Sequence, residues 1–538
     1  MRICFVSRRY WPAVSGMSAY AENLLRSLTA VGHEVVLVSQ YRGDRQGRAV
    51  YGGGPPPPER VPDGVRLVAM ESLGEQAVGA GLPADFEADV AALSDTIAGL
   101  HASEPLDVLH AQYGYPPGLA VLDASDRLGV PAVVSIQGGD GHWVGTCCTT
   151  HRAAIRRVLR DTPALLIGSP SFRAEVAARH GVPAERFTVV PGATDTDRFR
   201  PVPGRRPGTA GDPPVLLYHG RIDVRKGVLD LLEAVGLLLA EGRRLRLLVS
   251  GAGPDLDRLR RRARRADLAD AVEVLGPTGY HDAPEVYRRG DVFVSPTWAE
   301  GFSNTILEAM ATGLPVVSTD TVGVVDCVRD GVNGLLVPPH DPHALAAAVG
   351  RMLDDTQLRH RLAETALRQV VARWSWPVAA ARIGAVYEQV CAAWATKAAP
   401  TGTAPADGPE PAPVGGTGQA PAGGTEQAPV RGTGQTPADR TGTAPVDGTG
   451  RARHDATGLP GRGSGGSDGR VAEPGARPAA ARIAVPAVHR TMGAAATVRT
   501  AEQVAEQVSA QITAGAAERT APPPVDLSCR FRYEPHLL

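Results

Sequence analysis

Four side chains carry the first chemical signal: Arg221 and Lys226 in GRIDVRKG, and Glu300 and Glu308 in WAEGFSNTILEAMATGLPVV. Of the 56 Lys+Arg in the chain, only Lys226 and Lys397 are lysines. A lysine five residues after an arginine, in a glycine-bounded turn, is therefore conspicuous. Arginine offers a planar fork of donors and lysine a compact charge, so the two are not redundant. Together with oriented backbone amides they suit a diphosphate, and could stabilise one as it leaves without help from a metal.

The two glutamates are eight residues apart, slightly over two helical turns. The helix, however, begins near Asn304. Glu300 and Gly301 then sit before it, in the turn at a strand end, and Glu308 lies along it. The N–H groups of Phe302, Ser303, Asn304 and Thr305 become the orphan donors of a helix start, at the positive end of its dipole and ready for an anion. One carboxylate is placed to hold a sugar ring and the other to accept hydrogen bonds from a diol such as a ribose.

These residues need strand ends and helix starts to hold them, and the chain is rich in both. RICFVS, EVVLVS, VRLVAM, DVLHAQ, AVVSIQG, ALLIGSP and FTVVPG alternate with longer amphipathic stretches. After a Pro/Gly-rich gap at Pro201–Pro214, VLLYHG, LRLLVSG, VEVLG, VFVSPT, PVVSTD and GLLVP continue the alternation. Continuously apolar strands alternating with helices predict parallel sheets covered on both faces. Two such series predict an α/β protein of two doubly wound, Rossmann-like domains facing across a cleft, over residues 1–200 and 213–375. A helix over 376–397 follows. In such sheets ligands bind beyond the carboxyl ends of the strands.

From 398 to 538 the expectation is a mostly disordered tail. Pro, Gly, Thr and Ala dominate Ala399–Gly469 and offer few large apolar side chains to offset chain entropy. Only Thr497–Ala514 has helical periodicity there, through Val498, Val504, Val508 and Ile512.

At 538 residues the chain exceeds one ordinary domain, and a net charge of −1 gives no whole-chain pull toward nucleic acid. No apolar run approaches the ~18 residues of a membrane span, and the first residues lack the apolar core of a signal peptide. A cytoplasmic location is the default. The basic stretch Arg152–Arg160 leaves open a peripheral position on the inner face of a membrane. The basic run Asp255–Asp267 reads as a helix packed by Leu256, Leu259 and Ala263, with a solvated cationic side. Six cysteines form no CxxC. His142, Cys147, Cys148 and His151 fit no common zinc spacing, and adjacent cysteines are expected to point apart, so no metal and no cofactor is expected.

GRIDVRKG, SGAGP, EGFSNTILEAMATGLPVVSTD and DGVNGLLVPPHD resemble the donor half of the retaining glycosyltransferases of family 4, the glycosyl transferases group 1, which have the GT-B fold. YWPAVSGMSAYAENLLRSLTAVGHEVVLVS resembles the family's glycine loop, first helix and second strand, and WSWPVAAARIGAVYEQV its terminal helix returning to the first domain. The resemblance spans roughly residues 1–397. It implies transfer of a sugar from a UDP- or GDP-type nucleotide-diphosphate sugar to an acceptor hydroxyl, with retention and without a metal. Arg221, Lys226 and Glu300 would carry the chemistry. Gly16, Gly301, Phe302, Ser303, Asn304, Thr305 and Glu308 would complete donor binding. The family's first loop often has two glycines; here only Gly16 remains. Its T-H-G histidine is replaced by Gln137 in VSIQGGDGHW, with His142 five residues on as a second candidate for sugar or acceptor contact. The acceptor class is open: a glycan, a lipid-linked or a small molecule. Two other readings share the architecture, a catalytically silent scaffold and a phosphorylase or sugar-nucleotide hydrolase.

Overall fold

Each apolar run named above forms a strand. β1 (Arg2–Ser7), β2 (Glu34–Tyr41), β3 (Val65–Glu71), β4 (Val108–Ala111), β5 (Ala132–Ile136), β6 (Ala164–Ile167) and β7 (Phe187–Val189) make the first sheet. β8 (Val215–His219), β9 (Arg246–Ser250), β10 (Val272–Gly276), β11 (Val292–Ser295), β12 (Val316–Thr319) and β13 (Leu335–Val337) make the second. The computed structural model describes residues 1–202, 212–398 and 525–535. The expectations for Ala399–Gly469 and for a helix at Thr497–Ala514 lie outside the described residues.

The strand orders are β3-β2-β1-β4-β5-β6-β7 and β10-β9-β8-β11-β12-β13. All neighbours are parallel. Parallel strands need crossover helices on both faces, which is why β1, β4, β5 and β11 are buried almost throughout. The Val228–Ala240 helix, which follows β8, shows the matching pattern: it buries Leu231, Leu232, Val235 and Leu238, one stripe at helical spacing. Chain order reverses between β1 and β4 and again between β8 and β11. These switch points open crevices at the carboxyl ends of the strands, and the motif loops leave from those ends.

The last long helix, Trp376–Ala398, packs back on the Gly16–Ala30 helix of the first lobe. Ile383, Tyr387 and Val390 are buried in the same cluster as Ile3, Phe5 and Leu24. The hydroxyl of Tyr387 meets His110 Nδ1 at 2.5 Å, and His110 Nε2 meets Ser135 Oγ at 2.8 Å. Burial pushes the His110 imidazole down to about 3, so it is neutral and depends on those two partners. Where the chain crosses between lobes, Thr194 N–H donates to Trp374 O at 2.9 Å and Thr194 pairs with Ser375 in a short parallel bridge.

Near the very end of the stretch expected to be mostly disordered, the chain docks on the first lobe. Residues Arg530–Tyr533 form a helical turn against the first lobe. Arg532 is almost fully buried, with both its Nη atoms on Glu87 at 2.8 and 2.6 Å and Nη1 also on Ala84 O at 2.8 Å. A single apt arginine contributes nothing to periodicity, so the tail's composition concealed this docking.

Replacing Tyr387 by Phe leaves a buried His110 nitrogen without its partner while preserving the ring. The unfolding free energy falls by about 1–2 kcal/mol, read from the urea midpoint at constant m-value.

Candidate functional site

The GRIDVRKG loop leaves the end of β8. Val224–Lys226 is a single 3-10 turn capped by Asp223, whose Oδ1 accepts from Arg225 N–H. Gly227 has φ +67°, and a Cβ there would collide with Pro296 O, so only glycine lets this loop lie against the end of β11. The buried Asp223 carboxylate is pushed up by burial, but Arg225 and Arg221 override that and hold it down to about 2. Arg225, the third cation of the loop, grips both Asp223 oxygens at 2.9 and 2.6 Å and stacks over the Trp143 ring. Arg221 is held more loosely: its Nε is 3.3 Å from Asp223, its guanidinium lies over Tyr51 of the first lobe, and its Nη2 is buried without a hydrogen-bond partner. Lys226 Nζ reaches Ala299 O at 3.1 Å and Glu300 Oε1 at 2.8 Å.

Glu300 stands in the loop after β11 and Glu308 on the Asn304–Ala311 helix, as the pattern predicts. The helix begins at Asn304, with extended Ser303 as its cap and no side-chain bond to the first amides. The orphan donors facing the cleft are therefore those of Asn304 and Thr305. Phe302 and Ser303 precede the helix, and the Phe302 ring packs edge-on to Trp374 at 5.9 Å. Glu308 is buried, and Tyr287 Oη donates to its Oε2 at 2.8 Å. Burial lifts the Glu308 carboxyl to about 7, with the tyrosine bond opposing only in part.

The first lobe supplies the opposite wall. Gly16 opens the Gly16–Ala30 helix, whose cap Ser15 accepts from Ser18 N–H at 3.2 Å. A Cβ at Gly16 would meet no atom within 4 Å, so packing does not demand glycine; its smallness leaves room in the cleft. Gln137 follows β5 and accepts from Gln112 Nε2 at 3.2 Å. The buried Asp140 carboxylate ties this turn by accepting from the N–H groups of Gln137, Gly138 and Gly114. His142 is buried on Phe172, with Nδ1 at 3.0 Å from Glu175 Oε1 and Nε2 without a partner. Gln137 and His142 both border the same cavity. Gly301 closes the gap between the walls: a Cβ on it would lie 2.6 Å from Gln137 O.

Arg221, Lys226 and Glu300 line one cavity of about 440 Å³. The same cavity is lined by Gly16, Gln137 and His142, and by Gly301 to Thr305 and Glu308. The structure adds three arginines that the sequence reading passed over. Arg8, Arg9 and Arg42 also border the cavity, gathered around the buried Glu75. Arg8 reaches Glu75 at 2.7 Å, and Arg9 bonds the same oxygen. Burial would raise the Glu75 carboxyl, but Arg9, Arg8 and Arg42 draw it far below the usual carboxylate range. Burial, with Arg42 adding to it, pushes Arg9 down to about 9. The one local signal was RR directly after β1, at a switch point; Arg42 and Glu75 arrive only by folding. The two basic stretches are ordinary amphipathic helices. Leu256–Ala263 buries Leu259 and Ala263, and Thr149–Asp161 buries Ile155, Val158 and Leu159. No described helix is long and apolar enough to cross a membrane.

Residues 15–193 match the family model of the glycosyl transferase 4-like domain, and residues 213–355 that of glycosyl transferases group 1. Glycogen synthase of Mycobacterium tuberculosis is 29% identical over 404 residues, covering 72% of this chain and 94% of that protein. D-inositol 3-phosphate glycosyltransferase of Thermobispora bispora is 30% identical over 404 residues, covering 70% and 90%. Among solved structures, Anabaena Alr3699/HepE in complex with UDP and glucose superposes with a TM-score of 0.57 at 17% identity, covering 72% of this chain and 99% of that one, a likeness of fold. Two lobes of parallel sheet, a cleft at their strand ends and these matches agree: the chain belongs to the glycosyl transferases group 1, family 4, and is a glycosyltransferase of the GT-B fold.

Proposed function

We propose that the chain moves a sugar from a nucleotide-diphosphate sugar to an acceptor hydroxyl with retention of anomeric configuration. The observation that carries this reading is the convergence of Arg221, Lys226, the Asn304 helix start and both glutamates on one cavity. Arg221 and Lys226 border the cavity and the helix start offers uncapped amides, so a diphosphate would meet two cations and ready donors. These cations supply the charge stabilisation that a metal supplies in other transferases, which favours a metal-independent reaction. The likeness to a fold that holds UDP and glucose supports a nucleotide donor.

The pairings suggest an order of events. Lys226 holds Glu300 at 2.8 Å. A diphosphate taking the lysine releases Glu300 to the hydroxyls of the donor sugar. Glu308, deeper in the pocket, accepts hydrogen bonds from the ribose diol. Among the described residues we assign no carboxylate to the opposite face of the sugar, as a double-displacement retaining mechanism requires. The reading is therefore front-face: the leaving phosphate takes the acceptor proton while Arg221, Lys226 and the helix start stabilise its charge.

Arg221→Ala and Lys226→Ala each lower kcat on the order of 10²-fold or more while the thermal melt stays unchanged; unaltered turnover by either refutes the diphosphate clamp. In the same assay, nucleoside diphosphate appears only once an acceptor is added, which separates transfer from hydrolysis and from a silent scaffold, and chelator has no effect. Glu308 binds a diol as the carboxylate, so deprotonation favours the donor. As pH rises through about 7, the Kd for the nucleoside diphosphate falls roughly three- to tenfold more in the wild type than in Glu308→Gln, measured by calorimetry.

A further inference from the structure

Cys147, Cys148 and His151 meet a fourth residue that no local spacing could show. Cys529, from the docked end of the tail, lies beside them, and the four ligand atoms all fall within 4.8 Å of one another. Cys147 Sγ is 4.0 Å from Cys148 Sγ and 3.1 Å from His151 Nδ1; Cys529 Sγ is 3.6 Å from that nitrogen. The adjacent cysteines therefore do not point apart as the sequence suggested. Cys148 is the extended cap of the Thr149–Asp161 helix, which turns its sulfur back over the first turn, where His151 sits. His151 is fully buried, its ring fixed between Tyr115 and Phe86.

We propose that these four side chains form a tetrahedral zinc site that fastens the end of the chain to the first lobe. Three sulfurs and one imidazole are a donor set that zinc prefers and that magnesium or calcium does not. A zinc tetrahedron with bonds of about 2.3 Å to sulfur and 2.0 Å to nitrogen has edges of about 3.5–3.8 Å, close to the separations here. A disulfide would use two of the three sulfurs and leave the third with the histidine; a metal uses all four. The surroundings suit bound thiolates. The N–H of His151 faces Cys148 Sγ at 3.4 Å, and backbone amides of Gly145 and Phe531 face the sulfurs of Cys147 and Cys529. Binding would release three thiol protons, leaving a site of net charge −1 opposite a helix N-terminus and near Arg532. The second tie is already in place: Arg532 clasps Glu87, and Asp526 N–H donates to Thr150 Oγ1 at 2.6 Å.

The test uses the full chain, produced with zinc in the medium and purified without chelator. Elemental analysis should find roughly one zinc per chain. Cobalt(II) exchanged into the same protein should show strong thiolate-to-metal charge-transfer absorption and the visible bands of a tetrahedral ion. Cys529→Ser should drop zinc to below about one-fifth of that content and expose the last residues to limited proteolysis, while Cys391→Ser, outside the cluster, keeps both. Wild-type protein without zinc, a disulfide among the three cysteines by mass spectrometry, or full zinc in Cys529→Ser would each overturn the proposal. The wild-type metal count and cobalt spectrum decide the matter even if a variant misfolds.

Discussion

Backbone meets backbone where the two lobes touch, and the cleft takes its shape from that approach. The Glu300–Asn304 loop runs against three turns of the first lobe, and glycines make this fit. A side chain on Gly168 would press on Gly301 O at 3.0 Å, one on Gly192 would collide with Asn304, and one on Gly301 would reach Gln137 O at 2.6 Å. At Gly168 and Gly301 the clash is with main chain, which no rotamer change can relieve; at Gly192 it is with the Asn304 side chain. The glycines thus bring the uncapped helix start and Glu300 up to the wall that carries Gln137 and His142. Across the same seam Ser171 bonds Asp326, and its Oγ also accepts from Gly323 N–H at 2.9 Å.

Within the cleft nearly every charge has an opposite beside it, and the exceptions are informative. Asp223 anchors Arg225 so firmly that this cation serves the loop's shape. Arg221 is left to share its charge with a tyrosine ring. Glu308 has only a phenol for company, and burial lifts it toward neutrality. The arginines around Glu75 repeat the theme in the first lobe: the buried Glu75 carboxylate pairs with Arg8 and Arg9, while Arg42 beside them is 3.6 Å from the buried Asp44.

Legibility followed sequence distance. Thirteen strands could be read because a strand covered on both faces must be apolar throughout. Arg221, Lys226 and Glu300 could be placed because each sits in a short loop at a strand end with a helix start close behind, and Glu308 because it lies on that helix. The helix start at Asn304 was read correctly, while the extended backbone of Ser303 before it, which leaves Phe302 and Ser303 outside the helix, is a local matter that Phe302-Ser303-Asn304 does not announce. The Glu75 cluster gathers side chains from three separate segments, and Cys529 stands 378 residues from His151. Periodicity and motif spacing are blind to such pairs, since only tertiary folding sets their separation. His142 falls between these cases: its place near Gln137 was readable, but its partner Glu175 was not.

The stitching of Thr194 to Trp374 and Ser375 bears on how the enzyme moves. The polypeptide passes from lobe to lobe twice, outbound past Thr194 and homeward at Ser375, and the two passages run parallel and are tied. A single paired crossing behaves as the spine of a book. Both connections lie side by side there, so any displacement of one lobe against the other must be taken up at that line.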